Sequence, residues 1–162
     1  MTHSPTARRP AQEQARLDRA LADLFERQIT FNQTLGLRFV EIGAQGPVLR
    51  FDMRPELVGH YLYGRLHGGV ISAALDAMGG LALMWAIGEK HCDEPTQQVM
   101  NRFSRLGTID LRVDYLRQGI GTHFIATAEV LRLGGRVGTT QMRLVNDEGT
   151  LIATAAGAYI VS

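Results

Sequence analysis

The stretch Leu66-His67-Gly68-Gly69-Val70-Ile71-Ser72-Ala73-Ala74-Leu75-Asp76-Ala77-Met78-Gly79-Gly80 decides the fold, and it continues in the same character to Glu89. Between Gly68 and Gly88 the only charged residue is Asp76. This composition predicts one helix from about Gly69 to Glu89, a membrane-span candidate on size alone. Against a span, Asp76 near its middle would cost about 2.5–3.5 kcal/mol on insertion scales. Gly79 and Gly80 weaken the case further, and the segment stands alone amid strand-like sequence. A helix apolar on every side is also what a buried core element looks like. The expectation is a helix buried in protein, without membrane insertion.

Asp76 then becomes the residue to explain, because an aspartate is almost never fully buried unless paired or functional. A structural aspartate, satisfied by backbone donors or by an arginine, fits this position as well as a catalytic one. His67-Gly68-Gly69 opens the helix where unpaired backbone N–H groups point outward, an arrangement suited to an anion or a developing oxyanion. Its two glycines let a ligand approach the backbone closely. His67 and Asp76 are nine positions apart. At about 100° per residue they lie half a turn out of phase, so one straight helix cannot aim both at one point. Either His67 precedes the helix, or the two groups meet across the boundary of a two-fold dimer.

Working outward, the C-terminal third has the clearest pattern. Ile109, Leu111, Val113 and Tyr115 alternate with Thr108, Asp110, Arg112 and Asp114, the period of a half-buried strand. Turns at Gln118-Gly119-Ile120-Gly121, Gly134-Gly135 and Asn146-Asp147-Glu148-Gly149 separate it from strands over residues 123–133, 137–145 and 151–161. Four such strands predict an antiparallel meander. Upstream, residues 37–42 and 48–53 read as a hairpin through Gly43-Ala44-Gln45-Gly46-Pro47, and a loop punctuated by Pro55 and Gly59 runs to Leu66. Leu17, Leu21, Leu24, Phe25 and Ile29 recur at helical spacing, so residues 11–34 form an amphipathic helix with a break before Phe31 as an option. Met1 to Pro10 are expected to be disordered. The chain thus divides into an arm, residues 1–34, and one α+β domain, residues 35–162. A polar surface insert is expected at about 92–107.

At 162 residues the chain is long enough for one domain with a sizeable core. Hydrophobic residues make up 45% and charged residues 20%, with a net charge of +1. Such a balance gives no reason to expect nucleic acid or an anionic membrane as partner. A lone cysteine, Cys92, excludes an intrachain disulfide and points to a reducing compartment, the cytoplasm. The N-terminus lacks the apolar core of a secretory signal, though its arginines faintly resemble a transit peptide. There is no Gly-x-Ser-x-Gly elbow and no Walker loop. The adjacent His91-Cys92 suits no common zinc spacing, so no metal is expected.

Leu66-His67-Gly68-Gly69 with Asp76, followed by the strand Gly107 to Leu116 and the ending Gly149 to Val161, resembles the hotdog-fold thioesterases of the phenylacetate-pathway (PaaI-like) type. The resemblance spans roughly Leu35 to Val161. It implies an antiparallel sheet wrapped around one long central helix, and thioester hydrolysis at the interface of a homodimer, with pairing of dimers into tetramers. It also implies roles. Asp76 would be the general base or a nucleophile, and the Gly68 N–H would polarise the thioester carbonyl. His67 and Gly69 would orient the substrate, and Thr108 would stand by the attacking water. Relatives often carry an asparagine six or seven residues before the histidine, where this chain has Tyr61 and His60; these become substrate-binding candidates in its place. Coenzyme A, part of the substrate rather than a cofactor, needs cations for its phosphates. Arg132, Gly134, Gly135 and Arg136 lie where relatives commonly bind the nucleotide, and Arg65 is a similar candidate. Two other readings accommodate the same residues: a hotdog acyl-CoA hydratase or dehydratase, and a non-catalytic acyl-CoA sensor or carrier. Retention of both Asp76 and Thr108 favours the hydrolase.

Overall fold

The computed structural model describes residues 8–43 and 46–162. Helix α1 (Ala11–Asp23) buries Leu17 and Leu21 and passes through a π-helical turn, Leu24–Gln28, that buries Phe25. The break falls at Ile29, whose backbone is extended, and α2 (Thr30–Leu35) comes after it. Gly36, at φ 71°, ends α2 in the left-handed conformation that glycine adopts most readily. The expectation of disorder from Met1 to Pro10 lies outside the described residues as far as Ala7, and at Arg9 it is overturned. Arg9 is buried, and its guanidinium donates to the carbonyls of Gly88 and His91 at the end of the central helix. Carbonyls at a helix C-terminus lack intrahelical partners, and a buried cation satisfies them.

A hairpin of β1 (Arg38–Gly43) and β2 (Gly46–Asp52) comes next; Ala44 and Gln45 of its expected turn lie outside the described residues. Within the expected loop, β3 (Val58–His60) and β4 (Arg65–Leu66) pair as a small antiparallel ribbon. The apolar run forms α3 (Gly68–Lys90). The stretch expected as a polar surface insert contains α4 (Thr96–Arg102), which buries Val99. Four strands complete the chain: β5 (Gly107–Tyr115), β6 (His123–Leu133), β7 (Val137–Asn146) and β8 (Leu151–Ile160).

All but the ribbon join one antiparallel sheet in the order β1-β2-β6-β7-β8-β5. Here the expected four-strand meander is corrected. β6, β7 and β8 are sequential neighbours, but β5 pairs with β8 at the far edge. β2 and β7 already take both sides of β6, so β5 cannot lie beside it and pairs instead with the outer side of β8. The sheet wraps α3, and Leu75, Met78 and Leu81 meet Phe51, Phe124, Met142 and Leu144 in a fully buried core. Every residue from Met78 to Met84 is buried, so the middle of α3 has no polar face to show. By length and composition α3 could cross a membrane, yet 67% of its most apolar window is buried inside the fold.

Candidate active site

The N-terminal half of α3 is less enclosed. Gly69, Ser72, Ala73 and Asp76 share a stripe at spacings of three and four, and each remains at least partly accessible. Asp76 is therefore half-buried rather than sealed. Thr108 Oγ1 donates to its Oδ1 at 2.9 Å, and the Tyr159 hydroxyl donates to its backbone carbonyl at 3.1 Å. Thr108 and Tyr159 are themselves partners across the β5–β8 ladder. Tyr159 is 1% exposed. Burial first, and then the neighbouring Asp76 charge, pushes its phenol pKa up, so the group stays a protonated donor.

His67 lies just before α3 as its N-cap, with φ −67° and ψ 138°. Its Nδ1 accepts the Gly69 N–H at 2.9 Å, so a neutral ring carries its proton on Nε2. With the Gly69 amide occupied, the outward donor is the Gly68 N–H, which has no hydrogen-bond partner among the described residues. The Tyr115 hydroxyl donates to the Gly68 carbonyl at 3.1 Å. The ribbon fixes the approach: His67 N–H donates to Leu57 O at 2.9 Å, and a Cβ on Gly59 would stand 2.4 Å from His67 Cα. Only glycine lets β3 pass that close.

Helix rise separates Gly68 from Asp76 by about 12 Å in one protomer. The two meet different ends of the same edge strand, Tyr115 beside Gly68 and Thr108 beside Asp76. His60 and Tyr61 lie on and just past β3, near His67, but their rings stack on each other, with centroids 5.7 Å apart. Tyr61 is 87% exposed, and His60 Nδ1 is buried without a partner among the described residues. Arg65 lies over the Tyr63 ring and, with Gly68, Tyr115 and Arg117, lines an open cavity of about 400 Å³ at the start of α3. The hairpin carrying Arg132, Gly134, Gly135 and Arg136 is elsewhere. Gly134 and Gly135 line a cavity of about 250 Å³ with Ile87, Lys90, His91 and Arg102, at the opposite end of α3. Within one protomer that end is about 21 Å along the helix from Asp76.

Two residues escaped the sequence reading. Tyr115 was legible only as a strand residue, and Tyr159 follows Ala155-Ala156-Gly157-Ala158, where an aromatic reads as core. The spacing of tyrosine from Asp76 carries no local signal in either case.

Comparison with known proteins agrees with this architecture. The family model described as thioesterase superfamily matches residues 63–153. The chain is 38% identical over 141 residues to the medium/long-chain acyl-CoA thioesterase YigI of Escherichia coli, covering 87% of this chain and 91% of that one. A crystal structure from Shewanella oneidensis, of a protein related to the thioesterase superfamily, superposes with a TM-score of 0.87 at 36% identity, covering 95% of this chain and all of the other. A thioesterase family protein from Silicibacter pomeroyi shares the fold at 22% identity, with a TM-score of 0.67 over 89% of this chain and 96% of its own. The chain belongs to the thioesterase superfamily and has its hotdog fold, a sheet wrapped around the helix that His67-Gly68-Gly69 begins.

Proposed function

We propose that the protein hydrolyses acyl-CoA thioesters to a free acid and CoA at sites shared between two protomers. The carrying observation is the layout of β5. It is an edge strand with exposed Ile109 and Tyr115, and it holds Thr108–Asp76 near one end and Tyr115–Gly68 at the other. In a two-fold antiparallel pair, residue numbers opposite each other sum to a constant. Pairing β5 with its copy about a dyad at Arg112, with Ile109 left as the extra residue of the bulge it already forms against β8, sets Thr108 opposite Tyr115 of the partner subunit. Asp76 of one protomer then faces the helix start of the other, which spans the separation of about 12 Å that helix rise puts between Gly68 and Asp76 within one protomer.

The chemistry follows from these groups. Thr108 occupies Oδ1 of Asp76, leaving Oδ2 to take a proton from water as the water oxygen attacks the thioester carbon. The Gly68 N–H stabilises the developing oxyanion, helped by the positive end of the helix. Collapse breaks the C–S bond, and the proton on Asp76 returns to the departing CoA thiolate. An activated thioester asks for no further cofactor or metal, since CoA arrives as half of the substrate. Similarity to YigI makes medium- and long-chain acyl groups the first class to test. The single half-buried cysteine, Cys92, suits a reducing, cytoplasmic setting.

The test is a panel of acyl-CoA substrates from short to long chain, with aromatic members, assayed for thiol release by wild type and Asp76→Ala. Hydrolysis by wild type and loss of at least about a hundredfold in the variant is expected for a missing general base. Binding without turnover across the whole panel would favour a carrier instead, and hydration of enoyl substrates a hydratase.

A further inference from the structure

Tyr159 is costlier than core filling requires. Its ring is buried with the sheet's inner face, where phenylalanine would supply nearly the same packing without a hydroxyl to desolvate. Three positions accommodate that hydroxyl. A Cβ on Gly79 would stand 2.3 Å from it, and one on Gly157 would meet the ring at 2.8 Å. Both sites are glycine, which opens a slot from β8 to the helix backbone. Thr140, 1% exposed, puts its Oγ1 beside the same slot, 2.8 Å from where a Gly79 Cβ would be. At the end of the slot, the phenol donates to the Asp76 carbonyl at 3.1 Å.

We infer that Tyr159 is a positioning residue for Asp76: its hydroxyl fixes the peptide of the helical turn that bears the carboxylate, while Thr108 fixes the carboxylate itself. Because Thr108 and Tyr159 are ladder partners on β5 and β8, the acid is held at backbone and side chain by one rigid pair of strands. A carbonyl has two lone pairs, so the phenol can bond it without displacing the helix's own N–H. The inference rests on Asp76 being the base, and it adds the group that sets the angle at which the base presents itself to water. Misplacement of a reacting group by about 1 Å can cost a hundredfold in rate, so a small tilt of this turn is enough to matter.

The experiment compares kcat and KM for wild type, Tyr159→Phe, Asp76→Asn and the double variant on the best acyl-CoA of the panel, with a thermal melt of each. Tyr159→Phe is expected to lower kcat about tenfold or more with KM held within about twofold. On the Asp76→Asn background it should cause no further loss. Gly157→Ala, which crowds the ring without touching α3, should give the same kcat-only signature and serves if the phenylalanine variant does not fold. The inference is overturned by an unchanged kcat in a folded Tyr159→Phe, by a loss carried in KM, or by the same fractional loss with and without Asp76. Wild-type turnover in Asp76→Asn would instead remove the base assignment, and the positioning role with it.

Discussion

Thr108 Oγ1 lies 2.9 Å from Asp76 Oδ1, and the threonine stands on the strand at the sheet's free edge while the acid stands on the central helix. The contact therefore ties the reacting helix to the surface that a second protomer would cover. A hydrogen bond to a charged group is worth about 1.5–3 kcal/mol. If the bond orients Asp76 for proton transfer, Thr108→Val should lower kcat roughly 10- to 100-fold, and Thr108→Ser should restore most of it. Steady-state kinetics on the two variants decide the point. Equal activity in Val and Ser would take the hydroxyl out of the mechanism.

Shared sites make a counting prediction. In a mixture of Asp76→Ala and Gly68→Pro subunits, each parent dimer is inactive. A mixed dimer has one site lacking both groups and one site with both intact. Random exchange should restore about a quarter of wild-type activity, since about half of the dimers are mixed and each has one working site. Activity after mixing, read alongside the oligomeric state by sedimentation, is the measurement. No recovery from dimers proven to have exchanged would place each site within one chain.

Much of this arrangement is legible in the sequence, for physical reasons that also mark where reading stops. The bounds of α3 follow from an absence of charge, because a buried helix cannot carry unpaired ions; Asp76 stands out against that background. Periodicity identifies β5 as a strand but cannot say which strand it joins. That depends on which edges remain open once β2, β6, β7 and β8 have paired. Helix α4 is missed because a seven-residue helix that buries only Thr96 and Val99 has too few apolar positions to reveal a period. Tyr159 is missed for the opposite reason: its ring satisfies the apolar pattern, and only the geometry of Gly79 and Gly157 reveals its hydroxyl.

The contact that ties α1 to α4 should weaken in acid. Glu13 accepts from the Thr96 N–H at 3.0 Å and from its hydroxyl at 2.8 Å, joining α1 to the start of α4. These bonds, the backbone one foremost, hold the Glu13 carboxyl below its ordinary value of 4.5. A depressed folded pKa contributes stability that is present above the ordinary value and lost as pH falls through the folded one. Melting temperature should thus fall as pH drops below about 4.5, and Glu13→Gln should flatten part of that slope. Asp52, lowered chiefly by Arg50, Glu94, lowered chiefly by Arg102, and Asp147, lowered chiefly by Thr122, titrate in the same direction and contribute to the remainder. Melts at roughly pH 3 to 7 test this; parallel curves for wild type and Glu13→Gln would show that the contact contributes nothing.

Gly59 offers a separate handle on the helix start. An added Cβ there would lie 2.4 Å from the Cα and 2.8 Å from the Cβ of His67, so the obstacle is main chain rather than the tip of a flexible side chain. Something must move, and the ribbon and His67 are tied together by the His67 N–H to Leu57 O bond. Overpacking of this kind costs about 1–3 kcal/mol, or about 2–4 °C of melting temperature per kcal/mol in a chain of this size. Gly135→Ala, with open space around its Cβ, should leave the melting temperature nearly unchanged. Because the shift displaces the cap that occupies the Gly69 amide, Gly59→Ala should also lower kcat at temperatures where it is fully folded. A variant that melts early yet turns over at the wild-type rate would mean that the ribbon supports α3 without setting where its first amide points.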